Sequence, residues 1–115
     1  MNVSRGRYFE NKVKEFLKKS DYNIICSNFY TPYGEIDLIA EKGRKIFFIE
    51  VKSLTKSNIQ NPIKKIDMSK VRRIYLCISY LKKFCRIQSY QVDSYSVYFK
   101  NGKINFELYS DLRLQ

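Results

Sequence analysis

Gly34-Glu35-Ile36-Asp37-Leu38-Ile39-Ala40 and, four positions after Glu41 closes that run, Lys45-Ile46-Phe47-Phe48-Ile49-Glu50-Val51-Lys52 are two apolar stretches with acids and lysines set into them. Polar breaks bound both, Thr31-Pro32-Tyr33-Gly34 before the first and Glu41-Lys42-Gly43-Arg44 between them. Both therefore read as strands, Glu35 to Ala40 and Lys45 to Lys52, joined as a hairpin. The second is nearly all apolar from Ile46 to Ile49, which suits a central strand covered on both faces.

Parity gives this hairpin its chemical interest. With a four-residue loop over Glu41 to Arg44, Asp37 lies opposite Phe48, and Glu50 shares its face two positions farther along, roughly 7–8 Å away on the diagonal. A two-residue loop also keeps the acids on one face, whereas an odd-length loop separates them. Lys52 is two residues beyond Glu50, so it projects to that face as well. Mg²⁺ (or Mn²⁺) prefers oxygen ligands and keeps several waters, so Asp37, Glu50 and the backbone carbonyl of Val51 can supply the protein side of such a site. An ion there polarises a phosphate and acidifies a water, while Lys52 orients that water or stabilises charge on phosphate oxygens. The plainer alternative is a salt bridge at a turn for Asp37 and same-face partners on an exposed strand end for Glu50 and Lys52.

Outward from the hairpin, the region from Ser4 to Lys19 spaces Phe9, Val13, Phe16 and Leu17 as one helical stripe, with Ser4 as a candidate N-cap. Glu10 falls about 20° from Leu17 on the helical wheel, so its carboxylate either reaches solvent or leans into a cleft beside the sheet. Residues 24–29 form a first strand, and the polar stretch from Ser53 to Pro62 a loop. A second helix runs from about Asp67 to Lys83 on the stripe Val71, Ile74, Tyr75, Ile78 and Leu81, capped by Asp67. Strands over Val92 to Phe99 and Lys103 to Tyr109 flank Asn101-Gly102, a strong signal for a tight hairpin turn. The order α-β-β-β-α-β-β predicts an α/β fold: a mixed sheet of about five strands flanked by helices, in one domain over residues 1–115.

Twenty-two Lys and Arg against 11 Asp and Glu give a formal charge of +11, which favours a polyanionic partner, with nucleic acid the first candidate. Lys56, Lys64, Lys65, Lys70, Arg72 and Arg73 lie in a basic stretch whose only acid is Asp67, suited to binding phosphates without reading bases. Tyr30 and Tyr33 flank the turn before Glu35 and are candidates for base stacking. The sequence has no His, which excludes Ser-His-Asp and Cys-His nucleophilic sites and imidazole-based zinc sites. Hydrolysis must then use carboxylates, a hard metal ion or lysine, with no small-molecule cofactor indicated. Cys26, Cys77 and Cys85 read as reduced, mostly buried thiols. No stretch has the length or apolarity of a membrane span or secretory segment, so the cytoplasm is expected.

These motifs together resemble the YraN-like, endonuclease-like family of the PD-(D/E)XK nuclease superfamily, which is related in fold to archaeal Holliday junction resolvases. The resemblance spans nearly the whole chain: Gly6 and Glu10 match its first-helix motif, Asn28 an Asn after the first strand, Lys70 and Arg73 its basic second helix, and Val92-Asp93 its late strand. It implies a restriction-endonuclease-like core, metal-binding acids at Asp37 and Glu50, a catalytic lysine at Lys52 and an assisting helix acid at Glu10. Phe9 stands where the family usually has Gly. The leading expectation is a metal-dependent endonuclease acting on DNA, with branched or structured DNA and a homodimer as further steps. The competing classes are a non-catalytic nucleic-acid-binding protein that keeps the fold, and an interaction protein working through its aromatic late hairpin.

Overall fold

The computed structural model describes residues 5–54 and 66–114. Its elements run α1 (Arg5–Lys19), β1 (Asn23–Thr31), β2 (Gly34–Lys42), β3 (Lys45–Ser53), α2 (Met68–Leu81), β4 (Tyr90–Lys100) and β5 (Lys103–Tyr109). This is the expected α/β order, with one five-stranded mixed sheet flanked by two helices in a restriction-endonuclease-like topology. The candidate caps Ser4 and Asp67 differ in outcome: Ser4 lies outside the described residues, while Asp67 accepts from the Ser69 N–H at 3.0 Å and starts α2.

Within the sheet the strands stand in chain order, antiparallel except for β3 and β4. That parallel pair needs a crossover, and α2 lies in the connection. Phe9, Val13 and Leu17 of α1 bury against Leu38, Ala40, Ile49, Tyr95 and Val97 on one face of the sheet. Ile74, Cys77 and Ile78 of α2 bury against Ile36, Ile39, Phe48 and Val92 on the other. The apolar run of β3 is thus covered on both sides, and Phe48 and Ile49 are both fully buried. Phe16, expected in the α1 stripe, stays partly exposed and stacks on Phe106 at 5.1 Å between ring centroids. Phe9, in the family's usual Gly position, is a core residue packed near Phe99.

The hairpin turns explain the register. Lys42 pairs with Lys45, leaving a two-residue turn at Gly43 and Arg44, both with positive φ (59° and 64°); such turns match the twist of paired strands. Asn101 and Gly102 repeat this device between β4 and β5, with φ of 55° and 71°. The four-residue loop expected between β2 and β3 is therefore corrected to two residues. Phe48 pairs with Ile39 rather than Asp37, and the last β2–β3 pair is Leu38 with Ile49.

Beyond that last pair the sheet forks. Gly34 to Ile36 of β2 pair only with β1, while Glu50 to Ser53 of β3 pair only with β4. Alternation along β2 also breaks here: Leu38 and Ala40 face α1, but Ile36 and Ile39 both pack on the α2 side. Asp37 is the residue at the break. Of the cysteines, all three are free, Cys77 is buried, Cys26 is half-buried, and Cys85 is exposed, contrary to the expectation of mostly buried thiols.

Candidate active site

The fork leaves backbone groups without strand partners, and Asp37 fills one of those vacancies. Its Oδ2 accepts the Val51 N–H at 2.8 Å, tying one prong to the other. The Val51 side chain packs on the α1 side, so its neighbour Glu50 turns to the α2 side, where its Oε1 lies 3.3 Å from the Lys70 ammonium. Glu50 is only 14% exposed, whereas Lys70 is 45% exposed. Between the prongs and α2 is a cleft of about 150 Å³ lined by Glu35, Asp37, Glu50, Lys70, Arg73 and Ile74. Lys52, farther along β3, lines the adjoining crevice with Glu50 and Lys70.

Two residues join this group without having been singled out for it. Asn28 lies on β1 between the Ser27–Leu38 and Phe29–Ile36 pairs, beside the break at Asp37, and has φ of 54°. Its amide donates to Glu10 Oε1 at 2.9 Å and to Glu35 Oε1 at 2.6 Å. One amide therefore holds an acid from α1 and an acid from β2. Glu35 carried a signal in the sequence, because it stands two residues before Asp37. The role of Asn28 did not, because it depends on how α1 crosses the sheet.

Burial is the main cause that pushes the Asp37 carboxyl up to about 7. The charge of Glu50 adds to it, the Val51 N–H opposes it, and a hydrogen bond between the two carboxyls favours the protonated form. Glu10 is also raised, first by burial, then by the charges of Asp37 and Glu35, against the lowering effect of Asn28 and Arg7. These shifts describe carboxyls that are short of water first and crowded by like charge second. Among the described residues, no group of three or more His, Cys, Asp or Glu side chains gathers as a metal cage.

The expected site residues thus fall into four groups. Asp37, Glu50, Lys52 and Lys70 border one fork, with Arg73 on its α2 wall and Glu10 reaching its edge through Asn28. Arg72 is exposed on α2. Lys56, Lys64 and Lys65 lie outside the described residues. Val51 meets Asp37 through its N–H, whereas its carbonyl was the group expected to bind metal.

Comparison with known proteins places this site in a lineage. The profile of the "Uncharacterised protein family UPF0102" matches residues 9–97, a span that includes both prongs of the fork and α2. The chain belongs to the UPF0102 family. This is the YraN-like, PD-(D/E)XK-related group that the motifs resembled. A UPF0102 protein of Kosmotoga olearia is 34% identical over 108 residues, covering 91% of this chain and 90% of the relative. One from Clostridium perfringens is 36% identical over 109 residues, covering 93% and 89%. One from Thermotoga petrophila is 42% identical over 84 residues, covering 68% and 76%. UPF0102 membership supports a nuclease-like fold. No helix among the described residues is long and apolar enough to cross a membrane.

Proposed function

We propose that this UPF0102 protein is a Mg²⁺- or Mn²⁺-dependent endonuclease that hydrolyses phosphodiester bonds in DNA, preferring branched or otherwise structured DNA. The observation that carries the reading is the meeting of the Asp37 and Glu50 carboxyls across the fork, in a cleft whose other wall brings Lys70 and Arg73.

The donor chemistry fits a hard cation. Asp37 and Glu50 offer oxygen ligands whose mutual repulsion a divalent ion would relieve, and the Val51 carbonyl would complete the protein share of a site that keeps several waters. When bound, the ion supplies charge neutralisation at a phosphate and acidification of a water. The remaining work belongs to side chains already in place. Lys52 stabilises charge developing on phosphate oxygens or orients the attacking water. Arg73 and Lys70 draw a phosphate into the cleft, with the Arg73 guanidinium able to contact two oxygens at once. Glu10 and Glu35, held by Asn28, extend the acidic edge on which further water can be ordered. Arg72 contributes a phosphate contact from α2, and Lys56, Lys64 and Lys65, outside the described residues, add positive charge to the same stretch of sequence. Work on branched DNA calls for two such sites in a homodimer, and the cytoplasm as the compartment.

A second reading draws on one observation: the Lys70–Glu50 ion pair, which already gives one of the acids a cationic partner, suits a non-catalytic nucleic-acid-binding protein that retains the fold. Cleavage assays on duplex, single-stranded, flap and four-way-junction DNA with Mg²⁺ or Mn²⁺ separate the two. The nuclease reading predicts that Asp37→Ala and Glu50→Ala each lose about a hundredfold or more in rate, the scale on which removing one preorganised charged group acts. Equal cleavage by wild type and both variants sinks the assignment. DNA binding indifferent to divalent ions, with no cleavage by any of the three, favours the second reading.

A further inference from the structure

A largely exposed row with three aromatic rings, Tyr80 half-buried between more exposed neighbours, leads away from the cleft. Arg73, Leu76 and Tyr80 recur about one helical turn apart on α2, and Phe84 continues the row just past the Lys82 C-cap. Leu76 is 51% exposed and Phe84 70%. Tyr33, in the β1–β2 turn, meets Tyr80 edge to face at 6.2 Å, and Tyr80 meets Phe84 at 5.1 Å. Tyr33 is itself 46% exposed. The row starts at the active cleft: Arg73, which lines it, lies against Gly34, the residue next to Tyr33.

Core packing does not account for this row, since the buried face of α2 is formed by Val71, Ile74, Cys77 and Ile78. Its charge setting narrows the occupant. From Met68 to Val92 the chain carries six Lys and Arg and no Asp or Glu, and Arg72, Arg73 and Lys83 are exposed beside the row. Flat apolar rings flanked along α2 by cations, with the acids confined to the cleft end of the row, complement a ligand that has both aromatic faces and a polyanionic backbone. Duplex DNA keeps its base faces stacked inside, whereas an unpaired strand offers them.

We propose that Tyr33, Tyr80 and Phe84 form a stacking platform for the unpaired bases of a DNA strand whose phosphates pass Arg73 into the cleft. The proposal rests on the nuclease reading and deepens it: the substrate is DNA with a single-stranded segment next to the scissile bond. The platform selects strand state, while the cleft performs the chemistry.

The test is fluorescence anisotropy without divalent ions, using labelled oligothymidine and a duplex of equal length. For Tyr33→Ala/Phe84→Ala, the expected result is about tenfold or more weaker binding to oligothymidine, as for loss of base stacking, with duplex affinity within about twofold of wild type. The chain has no Trp, so Phe84→Trp provides an emission that reports on the platform alone and is expected to change as oligothymidine saturates the protein. Affinities that fall together, or do not fall, overturn the proposal, as does unchanged Trp emission at saturation. Loss of self-association with unaltered oligothymidine affinity also overturns it and assigns the row to a second copy of the chain. The cleavage rate of Glu50→Gln keeps the two claims apart: undiminished cleavage removes the nuclease reading whatever the affinities, and parallel affinity losses remove the platform whatever the cleavage.

Discussion

With Glu50 beside it and little water around it, Asp37 keeps its proton up to about pH 7, and that proton affinity has a consequence for the whole chain. The folded state binds the proton more tightly than the unfolded state, whose carboxyl titrates near 3.8. The resulting stability is fully present below about 3.8 and is lost as pH rises through about 7. The absence of His clears the usual titrating group from the window of about pH 5 to 8. Without divalent ions, the melting temperature should therefore fall by several degrees between about pH 5.5 and 8. Asp37→Asn keeps an acceptor for the Val51 N–H and removes the charge, so its melting temperature should be higher at pH 8 and its profile flatter. An unchanged slope in that variant, read by circular dichroism, would place the effect elsewhere. Mg²⁺ should raise the wild-type melting temperature more at pH 8 than at pH 5.5.

At the scale of elements, the site is a product of interrupted pairing. β2 pairs with β3 only from Leu38 onward, and the row before it is finished by side chains: Asp37 accepts the Val51 N–H, and the Asn28 amide donates to Glu10 and Glu35. Strand alternation carries Asp37 and Glu50 as far as the same neighbourhood, and a two-residue turn keeps their parity, so this much was legible in the residues. The break in alternation was not, because it arises where Ile36 and Phe29 are drawn into the core beneath α2 while Leu38 stays under α1. Nor was the Lys70–Glu50 pair, which depends on the angle at which α2 crosses the sheet. Gly34 joins turn to site: its φ is +138°, and a Cβ there would stand 2.5 Å from the Arg73 Cδ. Gly34→Ala should cost about 1–3 kcal/mol, the usual scale for a strained backbone position, and displace Arg73 from the cleft wall. A loss of DNA affinity exceeding that of Arg73→Ala at equal folded fraction would show that Gly34 acts through more than this one side chain. At Asn28, φ of 54° suits Asn better than most side chains. Asn28→Gly keeps the backbone and removes the amide, so its melting loss should be about 1 kcal/mol while the Glu10 and Glu35 carboxyls lose their common donor.

Over the whole molecule, the helical stripes, the Asp67 cap, the Asn101-Gly102 turn and the apolar run of β3 were enough to order every element, because each is a local signal. The charge of +11 is equally visible and acts at long range. If the basic flank meets phosphates, DNA affinity should fall on the order of a thousandfold between about 50 and 200 mM salt, as for a protein making several phosphate contacts. A flat dependence in an anisotropy titration would leave the net charge without that role. Metal-dependent cleavage at the fork requires its acids to share a divalent cation. Electron paramagnetic resonance of Mn²⁺ titrated into the protein at pH 8 measures this without requiring a substrate. Saturable binding by the wild type, abolished in both Asp37→Asn and Glu50→Gln, is the predicted result; identical Mn²⁺ binding by all three proteins would contradict it.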